Sequence, residues 1–192
     1  MLEVFKKYIT DKIALADAEW DLITSVCSIR KLRKHQYLLQ EGDVWRYNAF
    51  VSEGCLRRYR VDAAGVEHII QFSVENWWAG DRESLTNLTP SKYNIDAIED
   101  STIILIRKED FEMLCKKLPF FNDFMHNILF RSFDAMQDRI LAAISLTAGE
   151  KYKKLLETYP SITSRVPGHM IASYLGITPE TLSRVRKQMA KK

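Results

Sequence analysis

The segment from Val166 to Lys187, VPGHMIASYLGITPETLSRVRK, constrains the fold of this chain more than any other stretch. It contains two short runs with helical spacing. Ile171 and Leu175 lie four residues apart in the first run, and Leu182 and Val185 lie three apart in the second. Each run therefore predicts a helix with a single apolar stripe, and the two stripes can pack against each other.

The residues between these two predicted helices are those that a tight turn requires. Gly176 can adopt the left-handed conformation that ends a helix, and Ile177 fills the corner that follows. Thr178 is a good N-cap for the second helix, and Pro179 fits its first position, where no N–H is needed. Ala172 is small where the two helices approach each other. The combination predicts a DNA-binding helix-turn-helix rather than an ordinary capped helical hairpin.

The exposed face of the second predicted helix combines an acid with basic and hydroxyl side chains. We expect Glu180, Ser183 and Arg184 to contact base edges, since a carboxylate can accept from cytosine N4 while an arginine binds guanine O6 and N7. The alternatives are a favourable helix N-terminal acid at Glu180 and a phosphate contact at Arg184. Phosphate contacts are expected from the other polar residues of this unit: His169, Thr178, Thr181 and Lys187.

Charge is distributed unevenly along the chain. Nine Lys/Arg and three Glu lie between Gly149 and Lys192, a net charge of +6, although the whole chain carries only +3. The remainder is therefore mildly acidic. A basic C-terminal segment of this kind favours a polyanionic partner.

The rest of the chain changes pattern twice. Residues 1–35 have helical spacing, with Asp17 as the expected cap of a helix. From Gln36 to Arg107, short apolar strands alternate with turns, which is typical of an antiparallel roll or barrel. Helical spacing returns before Pro119, and the segment SITSRV near the C-terminal end is expected to be a short strand.

Pro119 begins a long predicted helix that extends to about Leu146. At 1.5 Å per residue this helix is about 40 Å long, too long for one small domain to cover. A second copy of the chain is the expected partner, and packing on the barrel alone is the alternative. The apolar positions follow steps of three and four residues, and they predict a dimer seam at Phe121, Met125, Leu129, Ser132, Met136, Ile140 and Ala143.

The stretch ASYLGITPETLSRVRK, the glycines of EGD and EGCLRRY, and this order of segments resemble the Crp/Fnr family of bacterial transcription regulators. The resemblance implies an α+β fold: an antiparallel β-roll of cyclic-nucleotide-binding type at 1–118, a dimerisation helix at 119–146, and a winged helix-turn-helix at 147–192. It also implies a cytoplasmic homodimer that binds double-stranded DNA and RNA polymerase. The E–SR arrangement is similar to the Fnr side of the family, which implies an inverted repeat of TTGA-like half-sites, with centres about 34–36 Å apart.

The stretch WWAGDRESLTNLTPSKYNIDA differs from the phosphate-binding cassette of family members that bind cyclic nucleotides. Gly80 and Asp81 match the Gly-Glu of that cassette, with a shorter acid. Arg82 stands where an apolar residue is usual, and Ser91-Lys92 stand where Arg-Ser is expected. A lysine cannot form the bidentate contact that an arginine makes with phosphate. We therefore expect no cyclic nucleotide and no other cofactor, and the identity of any effector stays open.

Two other functional classes are alternatives. In the first, the chain is a small-molecule sensor module whose DNA binding is secondary, although the polar face at 180–187 argues against it. In the second, the barrel is a metal enzyme of the cupin type, although His68 is alone in the strand region. The spacing of Cys27, Cys55 and Cys115 fits neither a metal site nor a disulfide framework. With no run of eighteen apolar residues, we expect a protein without a membrane segment.

Overall fold

A computed structural model describes residues 1–190, so Lys191 and Lys192 of the basic segment lie outside the described residues. The described chain divides into two units by its contacts. The first consists of Met1–Arg60 and Gln71–Ile128, and the second of Val61–Ile70 and the chain from Leu129 onward. The long helix is shared between these units and does not form a separate body.

The first unit begins with two helices and continues with most of the strands. The helices are α1 (Leu2–Thr10) and α2 (Asp17–Ser25). The strands, in chain order, are β1 (Cys27–Leu32), β2 (Tyr37–Leu39), β3 (Tyr47–Glu53), β4 (Leu56–Val61), β5 (Glu67–Ser73), β6 (Trp78–Ala79), β7 (Asn94–Ala97) and β8 (Ser101–Arg107). A short helix, α3 (Arg82–Asn87), precedes β7, and α4 (Lys108–Lys117) follows β8.

Two four-stranded sheets make up the β-roll. Their strand orders are β1-β8-β3-β6 and β2-β7-β4-β5. The pairs are antiparallel, with Cys27 opposite Ile106 between β1 and β8, and Leu56 opposite Ala97 between β4 and β7. One apolar core fills the roll, and a second lies between β3, β8 and the helices α1, α2 and α4. The fold class predicted from the sequence, an antiparallel roll with a long helix and C-terminal helices, is confirmed.

The remaining helices follow without a further strand among residues 108–190. They are α5 (Pro119–Ser145), α6 (Ala148–Thr158), α7 (Ile162–Arg165), α8 (Gly168–Leu175) and α9 (Pro179–Met189). Helix α6 begins with a capping box, in which the Thr147 hydroxyl accepts from the backbone N–H of Glu150 while the Glu150 carboxylate accepts from that of Thr147. None of the helices in this described part is long and apolar enough to cross a membrane.

Three local predictions are wrong. Residues 27–32 form the strand β1, because pairing with β8 decides the conformation of this largely exposed edge segment. The N-cap of α2 is Ala16, whereas Asp17 is the first helical residue. The SITSRV segment contains the helix α7, whose Ile162 is fully buried. Because residues 147–190 contain no strand, the described part of the helix-turn-helix lacks the expected wing.

Candidate nucleic-acid interface

Helices α8 and α9 form the predicted helix-turn-helix. Gly176 ends α8 in the left-handed conformation, with a φ of 65°. The backbone N–H of Ile177 then donates to the carbonyl of Ala172 at 3.0 Å, which closes the turn. The apolar stripes are buried as the spacing predicts: Ile171, Ala172 and Leu175 on α8, with Leu182 and Val185 on α9.

The start of α9 is fixed by its cap. The Thr178 hydroxyl accepts from the backbone N–H of Thr181 at 3.2 Å, and Pro179 occupies the first turn. Further along the helix, the Arg186 guanidinium lies over the ring of Tyr152 and its Nε donates to the Tyr152 hydroxyl at 3.2 Å. Helix α9 is therefore held against α6 and α8 on one side.

The opposite side of α9 is polar and exposed. The three residues expected to contact bases, Glu180, Ser183 and Arg184, are all exposed. Residues three and four positions apart on a helix share a face, so these side chains are neighbours, and exposed Lys187 continues the same face. The backbone N–H of Glu180, the Thr178 hydroxyl and the charge of Arg184 hold the pKa of Glu180 below its ordinary value. The carboxylate is thus a stable hydrogen-bond acceptor.

The expected phosphate contacts fall into two groups. His169 and Lys187 have exposed side chains at the beginning of α8 and in the third turn of α9. The hydroxyls of Thr178 and Thr181 instead hydrogen-bond to each other at 3.1 Å, and Thr181 Oγ1 also accepts from Arg184 Nη2 at 3.3 Å. Thr181 therefore interacts with one of the residues expected to read bases, and Thr178 interacts with Thr181.

Two side chains of the second unit make contacts that sequence reasoning missed. The Ser173 hydroxyl donates to the carbonyl of Glu67 at 2.9 Å and accepts from the backbone N–H of Ile69 at 3.1 Å. Arg139 Nη2 donates to the carbonyls of Ile69 and Tyr174 at 3.1 and 3.2 Å. These bonds join positions far apart in the chain, and no local pattern marks them.

A groove of about 510 Å³ lies beside these contacts, lined by residues of the 61–70 hairpin tip and of the helix-turn-helix. His68 and His169 are among the residues that line it. His68 Nε2 is 2.8 Å from Oδ2 of Asp62, and this contact is the main reason that the pKa of Asp62 lies below its ordinary value. Residues 1–190 contain no group of three or more His, Cys, Asp or Glu side chains placed to hold a metal ion.

The five residues of the degenerate cassette lie around the start of α3. Gly80 has a φ of 142°, and an added Cβ would lie 2.6 Å from Nε1 of Trp45, so only glycine fits there. Asp81 is buried, and its Oδ1 accepts from the backbone N–H groups of Glu83 and Ser84 at 3.0 and 3.3 Å. Its Oδ2 accepts from the hydroxyl of buried Ser91 at 2.8 Å. The other two cassette residues, Arg82 and Lys92, are exposed.

Lys92 forms an ion pair within its own chain. Its Nζ lies 3.1 Å from both carboxylate oxygens of Glu83 in an exposed ion pair. In this cassette, the Asp81 carboxylate therefore binds the backbone N–H groups at the start of α3, and Lys92 is paired with Glu83.

The predicted dimer seam is wrong at its N-terminal end, and from Leu129 onward it stays a prediction. Phe121 is fully buried and Met125 is 4% exposed in the core of the first unit, so neither can line an intermolecular seam. The periodicity that suggested them reflects packing against their own domain. From Leu129 onward, α5 instead carries an exposed apolar face, formed by Leu129, Phe130, Phe133, Met136, Ile140, Leu141 and Ile144.

The sequence is similar to one known domain family and to two known regulatory proteins. Residues 29–118 match the family model of the cyclic nucleotide-binding domain. The transcriptional activator protein Anr of Pseudomonas aeruginosa is 25% identical over 170 residues, which cover 81% of this chain and 68% of Anr. The regulatory protein HlyX of Actinobacillus pleuropneumoniae is 24% identical over 183 residues, covering 89% of this chain and 75% of HlyX.

Solved structures share the fold. FixK2 from Bradyrhizobium japonicum superposes with a TM-score of 0.75 at 19% identity, over 86% of this chain and 85% of FixK2. The catabolite activator protein of Thermus thermophilus superposes with a TM-score of 0.55 at 22% identity, over 93% and 85% of the two chains. At these identities the likeness concerns the fold alone.

Proposed function

We propose that this chain is a Crp/Fnr-type transcription regulator that binds specific DNA sequences as a homodimer, with α9 as the recognition helix. The observation that carries the proposal is the exposed face of α9. An acid and an arginine, Glu180 and Arg184, lie one turn apart on a helix that is anchored on its other side. The small-molecule module with secondary DNA binding gives no reason for that arrangement.

The two charged residues suit one base-pair step in the major groove. The carboxylate of Glu180 accepts from cytosine N4, and the guanidinium of Arg184 donates to guanine O6 and N7. Ser183, on the same face, adds a hydroxyl that can donate or accept. An acid at this place weakens phosphate binding, so its presence favours base recognition. We propose an inverted repeat of TTGA-like half-sites as the operator.

Affinity without sequence preference comes from the basic side chains of the second unit. Lys187 follows the base-reading residues on α9, and His169 lies at the start of α8. Each phosphate contact releases counterions, which makes binding salt-dependent. RNA polymerase is proposed as a further partner, in the cytoplasm, because the chain is similar to an activator.

Homodimerisation is proposed through the exposed apolar face of α5 between Leu129 and Ile144. Its seven large apolar side chains are between 37% and 81% exposed in the single chain. At 3.6 residues per turn they lie within an arc of roughly 140°. A continuous apolar surface of this kind marks an interaction site. The same face on a second copy is the self-complementary partner that a two-fold dimer needs.

We further propose that the β-roll does not respond to cyclic nucleotides. The backbone N–H groups at the start of α3 are satisfied by Asp81, a negative charge that would repel a phosphate. Lys92, in the Ser91-Lys92 pair that stands where Arg-Ser is expected, is paired with Glu83. No arginine stands at the position of the phosphate-pairing residue of the cassette.

The experiment that tests the proposed function compares Arg184→Ala with Lys187→Ala on matched and scrambled operators. Arg184→Ala should cost about 1–3 kcal/mol per half-site on the matched operator and remove the preference for guanine at one position. Lys187→Ala should weaken binding to both DNAs alike and reduce the salt slope by about one. Equal losses on the two DNAs with Arg184→Ala would make Arg184 a phosphate contact and remove the basis for sequence recognition by α9.

A further inference from the structure

Hydrogen bonds connect Arg184, one of the side chains proposed to read bases, to the N-cap of α9. Arg184 Nη2 lies 3.3 Å from Thr181 Oγ1, and Thr181 Oγ1 lies 3.1 Å from Thr178 Oγ1. Arg184, Thr181 and Thr178 are therefore linked along the first turns of α9.

The direction of two of these bonds is fixed by which groups have protons to donate. A guanidinium can only donate, so Arg184 donates to Thr181 Oγ1. The backbone N–H of Thr181 donates to Thr178 Oγ1 at 3.2 Å. Between the two hydroxyls, either threonine can be the donor.

This connectivity matters because Arg184 is long and exposed. A free arginine side chain loses rotamer freedom when it binds, whereas a guanidinium that is already held loses less. Its planar fork also needs a defined orientation to meet guanine O6 and N7 together. Thr178 is the fixed end of this row of hydrogen bonds, because its hydroxyl caps α9.

We propose that Thr181 is a positioning residue for DNA specificity: its hydroxyl holds Arg184 in the orientation that reads guanine and connects it to the N-cap residue Thr178. The inference rests on the proposed function and assigns Thr181 a role other than contacting phosphate. Thr181 is the residue to test, since a change at Thr178 also removes the helix cap.

The binding experiment uses the full-length dimer with two operators, the TTGA-type inverted repeat and a copy in which the guanine of each half-site is replaced. Thr181→Val keeps the shape of the side chain and removes the hydroxyl, and it should reduce discrimination between these operators about threefold to tenfold, a coupling typical of residues in contact. Thr181→Ser retains the hydroxyl and should restore discrimination. In an Arg184→Ala background, Thr181→Val should cause no further loss of discrimination.

A second measurement needs no DNA. In the free protein, NMR signals of the Arg184 guanidinium should show faster rotation with Thr181→Val than with Thr181→Ser or wild type. Equal rotation in all three proteins would overturn the positioning role. An equal loss of affinity for both operators with Thr181→Val, together with a smaller salt slope, would make Thr181 a phosphate contact. If Arg184→Ala itself left discrimination unchanged, the base-reading assignment in the proposed function would fail, and the specificity role of Thr181 with it.

Discussion

Asp81 is a buried acid at the start of α3. The residue is 4% exposed, and its carboxylate accepts three hydrogen bonds, from two backbone N–H groups and the hydroxyl of Ser91. The sequence showed that the acid is shorter than usual at this position, but it did not show that the acid caps α3.

Replacing Asp81 should therefore destabilise the β-roll. Asp81→Ala leaves buried donors without an acceptor, and we expect a loss of about 1–3 kcal/mol in the free energy of unfolding. Asp81→Asn keeps an acceptor oxygen for the α3 cap and should cost less. Urea unfolding of the three proteins measures the difference. If Asp81→Ala were as stable as wild type, the carboxylate would have no capping role.

On the scale of elements, apolar spacing predicted the helices and strands that have a buried stripe. Apolar spacing predicted α4, α5, α8 and α9, and the strands between Tyr37 and Arg107. It did not predict β1, because the middle residues of this strand are exposed and its partner strand β8 lies far away in the sequence. The same limit explains the error at Phe121 and Met125, because spacing shows that a position is buried and not what buries it.

The exposed half of α5 should determine the oligomeric state. Met136→Glu places two like charges near the proposed two-fold axis, where each would be buried without a partner. We expect this variant to sediment as a monomer at concentrations at which the wild type is a dimer. Arg131→Glu is the matched control, since Arg131 is exposed on the opposite side of the helix and should leave the dimer intact. A dimeric Met136→Glu variant would mean that the face is wrongly placed.

The candidate interface was easier to predict than the contacts around it. The turn residues and the polar face of α9 are local in sequence, so the helix-turn-helix and Glu180, Ser183 and Arg184 could be identified from spacing and residue type. The bonds of Ser173 and Arg139 to the 61–70 hairpin tip are not local. Only the folded chain brings these groups together.

In the molecule as a whole, the β-roll has the fold of a cyclic nucleotide-binding domain, and we propose that it does not respond to cyclic nucleotides. We expect millimolar cyclic AMP or cyclic GMP to leave the melting temperature unchanged, with adenosine 5′-monophosphate as the control. A ligand at 100 times its Kd would stabilise the native state by about 2.7 kcal/mol, which is readily measured. A shift at micromolar concentration that Lys92→Ala abolished would contradict the proposal.

Selection of bound DNA from a random library tests whether a pair of α9 helices recognises a specific sequence. The wild-type protein should enrich an inverted repeat of TTGA-like half-sites with centres about 34–36 Å apart, one helical turn of DNA. The same selection with Arg184→Ala should lose the guanine and keep the spacing, since the dimer sets the distance between half-sites. Enrichment of no motif, or of a single half-site without a symmetric copy, would contradict sequence-specific recognition by two α9 helices.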